Sequence, residues 1–359
     1  MRLDLFWKIK PMHIHLDFAL NGRPLNYTGL MAQVEAWSNG DPYKKAIASF
    51  LSDWFNASDE VVVHTSGSTG KPKPIHLQKA HMKASARATA SFFGTFAGTK
   101  ALLCLSADYI AGKMMWVRAL ELGWDLHIVP PSNGLTEINS AFDFVAMVPM
   151  QVQANLNLID HFKTLIVGGA PMSEDLKNAV RPKKVSVFET YGMTETITHI
   201  ALKSVTGKEK CFRALSGVSF SLDSRGCLVI DAPNIANEKI VTNDLVRLGS
   251  PTTFEWLGRA DNVINSGGVK LIPEQIEKVI SPYVSYRFFL SGMPHPSLGE
   301  QLVLMVETKA APVEIEEMLA QISWPHVYWR PKQLFCTPRF IETPSGKIDR
   351  NRSKKALGL

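Results

Sequence analysis

Between residues 60 and 189 the apolar positions fall into short runs separated by longer amphipathic stretches. Each run has the length of a strand and is bounded by turn residues, which is typical of buried strands. The amphipathic stretches at 76–96 and 173–180 predict helices between them. Strands that alternate with helices predict a layered α/β domain with a largely parallel sheet. The predicted strands are 60–64, 101–105, 126–129, 144–148, 164–168 and 185–189.

The pattern changes twice in the second half of the chain. From about residue 212 to 258, glycine, proline and asparagine turns separate short apolar segments, which predicts a β-rich subdomain. Farther on, a glycine-rich turn at 266–268 precedes a helix that begins at Pro273, because proline is favoured in the first helical turn. The pattern predicts a large first domain over 1–260, a boundary at Asp261, and a small α+β domain over 262–359.

The composition and charge of the chain argue against several classes of protein. The 359 residues suffice for two or three domains, and the net charge of +6 fits either an ordinary solvated surface or one that binds polyanions. The chain has no dense Lys and Arg run that indicates nucleic-acid binding, and no run of about 18 apolar residues that indicates a membrane span. The four cysteines lack CxxC and zinc spacing, so we expect a cytoplasmic protein.

The loop after the strand at 60–64 is rich in hydroxyl groups, glycine and lysine. Hydroxyl and free N–H groups bind phosphate well, glycine lets the backbone approach closely, and lysine balances the charge. The spacing differs from a Walker A loop, because two residues separate Gly67 from Gly70 and Pro72 follows Lys71. Considered without the rest of the chain, this segment could equally be a flexible surface loop. The candidate phosphate-binding residues are Thr65, Ser66, Gly67, Ser68, Thr69, Gly70 and Lys73.

Further motifs follow the loop in a fixed order. Taken one at a time, each has an ordinary explanation: a glycine turn after a strand is usually structural, and an Arg–Asp pair near the surface stabilises little. Their order along one chain is more specific than any single motif. The motifs are GGAP at 168–171, YGMTE at 191–195, VTNDLV at 241–246, GRADN at 258–262, SGGVK at 266–270 and TPSGK at 343–347.

The loop and these motifs together resemble the superfamily of acyl- and aryl-CoA synthetases, peptide-synthetase adenylation domains and luciferases, over most of the chain from Thr65 to Lys347. The resemblance implies a large adenylate-forming domain and a small mobile C-terminal domain. It also implies that a carboxylate attacks ATP to form an acyl-adenylate, whose acyl group then passes to a thiol, that of coenzyme A. Fewer residues precede the phosphate loop than is usual in the family, so we expect the fold to be shortened at its N-terminus.

The resemblance assigns the catalytic roles. Thr194 would meet the α-phosphate, Glu195 would hold Mg²⁺, and Lys347 would reach the carboxylate and the α-phosphate during adenylation. A carboxylate suits Mg²⁺ because this hard cation prefers oxygen ligands. Asp261 matches the hinge on which the C-terminal domain rotates. The segment that would line the tunnel for coenzyme A contains Gly267, Gly268 and Lys270.

The nucleotide contacts are assigned in the same way. Tyr191 would lie against the adenine, and the carboxylate of Asp244 would accept both ribose hydroxyls. The family usually has glycine where this chain has Asn243, and we expect Asn243 to keep the turn because asparagine tolerates left-handed backbone. The remaining nucleotide contacts would come from Gly169, Ala170, Gly192 and Arg259.

The acid is indicated by fewer residues. The segment 111–118 resembles the branch of the family that acts on 2-succinylbenzoate, an aromatic dicarboxylic acid of menaquinone biosynthesis. Trp116 or the methionines Met114 and Met115 would contact the ring, and Lys113 or Arg118 would pair with the carboxylate that is not activated. Gly168 would border the same pocket. Packing in a helix core explains Trp116 equally well, and a surface ion pair explains Arg118 equally well.

Three functions remain compatible with the sequence. The first is a ligase for 2-succinylbenzoate that uses ATP, Mg²⁺ and coenzyme A. The second is a ligase for another acid, or a separate adenylation domain that loads a carrier protein. The third is a non-catalytic nucleotide-binding protein, against which the combination of Glu195, Asp244 and Lys347 argues. We expect small-molecule partners without nucleic acid or membrane, and homodimer formation stays open.

Overall fold

The computed structural model describes residues 14–64, 74–135, 138, 140–207, 209–343 and 348–359. The predicted phosphate-binding residues from Thr65 to Lys73 and the predicted catalytic Lys347 lie outside these ranges. The helices are α1 (Tyr27–Trp37), α2 (Pro42–Phe55), α3 (Lys79–Phe93), α4 (Ile110–Leu122), α5 (Pro149–Ala154), α6 (Glu174–Val180), α7 (Pro273–Ile280), α8 (Pro312–Ala320) and α9 (Arg350–Ala356).

The strands follow the alternating and continuous apolar runs of the sequence. Their bounds are β1 (Ala19–Leu20), β2 (Arg23–Pro24), β3 (Glu60–His64), β4 (Pro74–Gln78), β5 (Lys100–Leu103), β6 (Asp125–Ile128), β7 (Phe142–Met147), β8 (Phe162–Val167), β9 (Ser186–Gly192), β10 (His199–Ser204), β11 (Phe212–Ala214), β12 (Ser219–Leu222), β13 (Cys227–Asp231), β14 (Ile240–Ser250), β15 (Thr253–Arg259), β16 (Ile264–Ser266), β17 (Val269–Leu271), β18 (Arg287–His295), β19 (Gly299–Glu307) and β20 (Gln333–Thr337).

The described chain divides into two compact units. The first contains the residues up to Ser219 together with Asp231–Ile240, and the second contains Phe220–Ile230 and Val241–Leu359. In the described part of the chain, none of the helices is long and apolar enough to cross a bilayer. The hinge at Asp261 stays a prediction.

The first unit is built on a largely parallel sheet. Its strands lie in the order β11-β10-β9-β8-β7-β5-β6-β1-β2. Strands β5 to β9 are parallel to one another, whereas β10 is antiparallel to β9. This arrangement confirms the predicted α/β class. The strand at 60–64 differs from the other predicted strands, because it forms a separate antiparallel hairpin with β4.

Two helices on this sheet carry side chains that matter for the site. Helix α3 begins at Lys79 and not at residue 76, because residues 74–78 pair with β3 as β4. Helix α4 is buried on all sides from Met114 to Leu120, as expected for a helix without a polar face. Both helices end at a left-handed glycine, Gly94 or Gly123, where the absence of a side chain permits the turn.

The core of the first unit forms between the sheet and its helices. Apolar side chains of β7, β8 and β9 pack there against α5 and α6. Burial of these side chains stabilises the sheet and fixes the ends of β8 and β9, from which the predicted GGAP and YGMTE motifs extend. The central members include Val145, Met147, Val152, Leu165, Val167, Leu176 and Val187.

The second unit contains two sheets. Strands β12-β13-β14-β15 form the predicted β-rich part, and β17-β16-β19-β18 form a second sheet in which β20 lies parallel to β19. Helix α7 has the predicted start at Pro273. Apolar residues of α7, α8 and this second sheet share one core, which includes Ile276, Ile280, Leu290, Leu304 and Ile315.

Candidate active site

The GGAP turn and the end of β9 lie side by side in the first unit. Strands β8 and β9 are adjacent and parallel, so their carboxyl ends share one edge of the sheet. A Cβ at Gly168 would lie 2.4 Å from the Oγ1 atom of Thr190, and Gly169 has a φ of 82°, which favours glycine. The exposed Ala170 follows in the same turn. The structure thus brings the predicted turn next to Tyr191.

The YGMTE motif forms the tight connection between β9 and β10. Gly192 pairs with His199 across the two strands, and a Cβ at Gly192 would lie 2.2 Å from the carbonyl oxygen of Thr198. Only glycine permits this close approach. The hydroxyl of Thr196 accepts from the backbone N–H of Met193 at 2.9 Å and can donate to the carbonyl of Thr198 at 2.8 Å. The motif is therefore held by its own backbone and by one buried hydroxyl.

The three functional side chains of the motif are accessible. Thr194 and Glu195 lie in a single turn of 3-10 helix, where Glu195 is exposed and Thr194 is half-buried. Tyr191 is half-buried, and its ring centroid lies 5.8 Å from that of Phe212. An aromatic face beside an accessible hydroxyl and carboxylate is suitable for a nucleotide.

Behind the motif, a buried carboxylate fixes the strand. Glu189 of β9 lies 2.7 Å from Lys203 and 3.4 Å from Lys177, and accepts from the backbone N–H of Met172 at 3.2 Å. Burial alone would raise the pKa of Glu189, but the two lysines outweigh it and lower that pKa. Because Met172 follows the GGAP turn, Glu189 joins that turn to β9. Sequence reasoning missed this residue, since its lysine partners lie far away in the chain.

A metal ion at this edge would depend on the nucleotide. Among the described residues, no three His, Cys, Asp or Glu side chains come together as a metal site. Mg²⁺ commonly takes one or two carboxylates and completes its shell with phosphate oxygens and water. The exposed Glu195, which forms no ion pair with a described residue, fits that partial role.

In the second unit, Asp244 is a buried carboxylate with satisfied contacts. It is 6% exposed, accepts from the indole Nε1 of Trp256 at 3.2 Å, and lies 3.5 Å from Arg259, its partner across β14 and β15. Its own N–H donates to Thr242 at 3.0 Å. These contacts orient the carboxylate and offset part of the cost of its burial.

The hinge candidate Asp261 belongs to the same network. Arg259 donates to Asp261 at 2.9 Å, and the amide of Asn243 donates to both of its oxygens at 3.2 and 3.3 Å. Arg225 in turn donates to Asn243 at 2.9 Å. The expectation of left-handed backbone at Asn243 was wrong, because this residue has a negative φ within β14. Its side chain links β14 to Asp261 instead.

The predicted tunnel segment is a glycine turn between two strands. Gly267 and Gly268 have φ values of 58° and 82°, so both need the conformational freedom of glycine. They connect β16 to β17, and Lys270 of β17 is exposed. The geometry is that of an accessible loop carrying a cation.

The acyl-pocket candidates on α4 separate into different surroundings. Trp116 and Arg118 are two positions apart on α4, so their side chains point in nearly opposite directions, since each residue turns the helix by about 100°. Trp116 packs edge-on against Trp37 with ring centroids 6.1 Å apart, and is core. Lys113 donates to the carbonyls of Ala107 and Asp108. These two side chains have structural contacts that account for them.

Arg118 points to different surroundings from Trp116. It is 1% exposed, and its Nη1 lies 3.7 Å from the sulfur of Met115. Its Nε and Nη2 atoms have no hydrogen-bond partner among the described residues, and no described carboxylate lies within ion-pair distance. Burial lowers the pKa of Arg118 to about 9, so the guanidinium still carries its charge near neutral pH. The alternative of a surface ion pair is excluded by this burial.

The charge of Arg118 acts on a second buried side chain, His199, which was missed by sequence reasoning. It is 4% exposed at the start of β10, and its Nε2 lies 3.3 Å from the hydroxyl of Thr89 on α3. Burial and the charge of Arg118 together lower the pKa of His199 well below its usual range. In the sequence, a single histidine after the YGMTE motif does not indicate a functional residue. Its position near the motif follows only from the strand pairing that places it opposite Gly192.

Comparison with known proteins places these observations in a family. The family described as AMP-binding enzyme matches residues 30–231, more than half of the chain. The 2-succinylbenzoate–CoA ligase of Listeria monocytogenes serovar 1/2a is 23% identical over 337 residues, which cover 85% of this chain and 72% of that protein.

Solved structures give the same result. An AMP-forming acyl-CoA synthetase/AMP-acid ligase II-like protein from Dyadobacter fermentans is 38% identical, with a TM-score of 0.60 over 89% of this chain and 95% of that chain. The O-succinylbenzoate coenzyme A synthetase of Bacillus subtilis, in complex with ATP and magnesium, is 20% identical, with a TM-score of 0.69 over 82% and 69%. At that identity the second likeness shows a shared fold.

Proposed function

The chain belongs to the AMP-binding enzyme family, and we propose that it is an AMP-forming acid–CoA ligase whose acid is 2-succinylbenzoate. Membership in the family supports the use of ATP and the formation of an acyl-adenylate. The names of the Listeria relative and of the Bacillus structure support the choice of acid. Within the chain, the support comes from one side chain, Arg118.

The observation that carries the choice of acid is the buried guanidinium of Arg118 without a carboxylate partner among the described residues. A buried charge without a partner costs several kcal/mol, so proteins rarely keep one without a use. A substrate with a single carboxylate offers nothing to this group, because that carboxylate must face the phosphate. A dicarboxylic acid offers a second carboxylate, and an arginine–carboxylate pair is strong and directional.

In the first half-reaction, the substrate carboxylate attacks the α-phosphate of ATP and pyrophosphate leaves. Both reacting groups are negative, so alignment and charge neutralisation dominate the barrier. Thr194 would contact the α-phosphate and Lys347 would bridge it to the carboxylate. Glu195 would hold Mg²⁺, which when bound would neutralise part of the charge of the phosphates. Tyr191 and Asp244 would hold the adenine and the ribose.

In the second half-reaction, the thiol of coenzyme A attacks the acyl carbon of the adenylate and AMP leaves. We propose that the C-terminal part rotates about Asp261 between the two steps, so that Lys347 leaves and the loop with Gly267, Gly268 and Lys270 approaches. A hinge needs only to absorb backbone torsion. The variant Lys347→Ala should lose adenylation and keep thiolation of a pre-made acyl-adenylate, measured as two separate single-turnover reactions. Equal loss of both reactions would contradict this division.

The test of the acid is direct. The purified chain is incubated with Mg-ATP, coenzyme A and either 2-succinylbenzoate or benzoylpropionate, which lacks the ring carboxylate. Mass spectrometry then measures the thioester and AMP. We expect the thioester of 2-succinylbenzoate at a much higher rate than that of benzoylpropionate.

Other results would select the alternatives. Pyrophosphate exchange with a different acid would keep the chemistry and reject the substrate. Acyl transfer to a carrier protein without transfer to coenzyme A would indicate an adenylation domain that loads a carrier. Absence of exchange with every acid in a broad panel would favour a non-catalytic nucleotide-binding protein.

A further inference from the structure

Four side chains lie on one face of the antiparallel strands β9, β10 and β11. Residues two positions apart in a strand share a face, so Glu189 and Tyr191 of β9 point the same way. Lys203 of β10 pairs with Glu189, and Phe212 of β11 lies beside Lys203 on the next strand. These four side chains form the β9–β11 row, which begins at a buried carboxylate and ends at the ring of Tyr191.

Each member of the β9–β11 row contacts the next. The Nζ atom of Lys203 lies 2.7 Å from a carboxylate oxygen of Glu189 and 4.7 Å from the ring centroid of Phe212. A cation this close to the face of an aromatic ring is attracted to it. The rings of Phe212 and Tyr191 are 5.8 Å apart and inclined by 56°, within the range of favourable aromatic pairs. A buried ring therefore supports a half-buried one, and a lysine holds the buried ring.

The row also reaches the GGAP turn. Glu189 accepts a hydrogen bond from the backbone N–H of Met172 at 3.2 Å, directly after that turn. The same carboxylate thus holds the turn and, through Lys203, the aromatic pair. The GGAP turn and Tyr191, which are both expected to contact the nucleotide, are joined by this one set of contacts.

We propose that Phe212 and Lys203 are positioning residues for the nucleotide base, which set the ring of Tyr191 before the nucleotide binds. The proposal rests on the proposed function in one respect, namely that Tyr191 contacts the adenine. A ring that is already held in place loses less freedom on binding, which raises affinity. Phe212 is buried, so it acts through Tyr191 and not by touching the ligand. Its loss should weaken binding of the base and leave the contacts to ribose and phosphate intact.

The next residue along β11 offers a matched control. Arg213 is exposed and points to the opposite face of the sheet, where its guanidinium lies 4.9 Å from the ring centroid of Phe92 on α3. This contact is of the same kind and involves the same strand, but it lies outside the β9–β11 row. Arg213→Met should therefore leave nucleotide binding unchanged.

Two ligands separate positioning of the base from a general structural role. Calorimetry measures the Kd for AMP, and displacement of AMP measures the Kd for ribose 5-phosphate, which has no base. Phe212→Leu, which keeps an apolar side chain, should raise the Kd for AMP by about fivefold or more and that for ribose 5-phosphate by less than about twofold.

The lysine is tested by two substitutions of a partly exposed side chain. Lys203→Met removes the cation and should raise the Kd for AMP by about two- to fivefold. Lys203→Arg keeps a cation over the ring and beside Glu189, so it should restore most of the affinity. If Phe212→Leu does not fold, the comparison of these two variants decides the proposal.

The outcomes separate this inference from the proposed function. Equal weakening of AMP and ribose 5-phosphate in the Phe212 or Lys203 variants would overturn the positioning role and leave the proposed ligase intact. Weakening of AMP binding by Arg213→Met as large as that by Lys203→Met would do the same. A wild-type chain that binds neither AMP nor ATP would reject the proposed function together with this inference.

Discussion

Two buried charged side chains, Asp244 and Arg118, differ in the partners that the fold gives them. Asp244 in the second unit receives a hydrogen bond from Trp256 and lies 3.5 Å from Arg259, whose other arm binds Asp261. Arg118 in the first unit is more deeply buried and has only a weak contact to the sulfur of Met115 among the described residues. One charge is balanced by the fold, and the other is left unbalanced.

The difference indicates what each site is built to bind. In the proposed function Asp244 receives the ribose hydroxyls, which are neutral, so the protein itself must balance the charge of this carboxylate. An anionic ligand brings its own charge, so the site proposed for it at Arg118 can leave the cation without a partner. A protein that balanced Arg118 internally would lose the interaction that selects the ligand. Whether the protein or the ligand supplies the balancing charge thus indicates whether the ligand is neutral or anionic.

Replacing Arg118 should give the largest effect. In Arg118→Met the second carboxylate of 2-succinylbenzoate would lose its buried partner, which costs about 2–5 kcal/mol. The kcat/KM for this acid should fall by a factor of about 30 or more. The value for benzoylpropionate should change little. Steady-state assays with both acids measure the effect, and an equal loss for both would show that Arg118 acts on packing alone.

The free energy of unfolding of Arg118→Met also tests whether the fold supplies a partner for Arg118. Removing an unpartnered buried charge in favour of an apolar side chain of similar volume should leave the free energy of unfolding unchanged or raise it by about 1–3 kcal/mol. Urea unfolding without ligand measures this. A large loss of stability would mean that Arg118 has a partner in the fold after all.

At the balanced site, Asp244→Asn keeps the acceptor for Trp256 and removes the charge. Hydrogen bonds to charged groups contribute about 1.5–3 kcal/mol, so the KM for ATP should rise by about tenfold or more. The preference for 2-succinylbenzoate over benzoylpropionate should stay the same, because the proposed partner of the second carboxylate, Arg118, does not belong to the network of Asp244. Asp231→Asn, an exposed carboxylate paired with Lys239, is the matched control and should leave both quantities unchanged.

His199 should make the stability of the free protein depend on pH. Its folded pKa is lowered below the usual value of about 6.5, so the unfolded chain binds a proton first as the pH falls. The contribution of neutral His199 is fully present above about pH 6.5 and is lost toward lower pH, by about 1.4 kcal/mol per pH unit. The free energy of unfolding of the wild type should therefore fall relative to that of His199→Gln as the pH falls from 7 to 5. Parallel curves would contradict the lowered pKa.

The sequence predicted the elements better than their contacts. Periodicity located the parallel strands and the helix at Pro273, because burial on one or both faces leaves a local pattern. It did not reveal that residues 60–64 pair with β4, since strand pairing depends on partners that the pattern does not name. Motif order predicted nucleotide contacts at Tyr191, Glu195 and Asp244, and these assignments stay predictions.

The missed features of the site all depend on distant parts of the chain. His199 is informative only because β10 pairs with β9 and α3 supplies Thr89. Glu189 depends on Lys203 and Lys177 from other elements. The burial of Arg118 depends on how α4 is rotated against the sheet, which separates it from Trp116. Residue type and local spacing cannot encode such long-range relations.

The smallest effect should come from restoring the family residue at the balanced site. Asn243→Gly would remove the hydrogen bonds that join Asp261 to Asn243 and Asn243 to Arg225, worth about 1 kcal/mol in total. If Asp261 is the hinge, releasing it should speed thiolation from a pre-made acyl-adenylate by about two- to fivefold and leave adenylation nearly unchanged. Single-turnover assays of each half-reaction measure this. Arg247→Ala, which breaks an exposed ion pair with Glu255 on the same strands, is the control and should change neither step. An equal change in both half-reactions would show that Asn243 acts on the ribose site and not on the hinge.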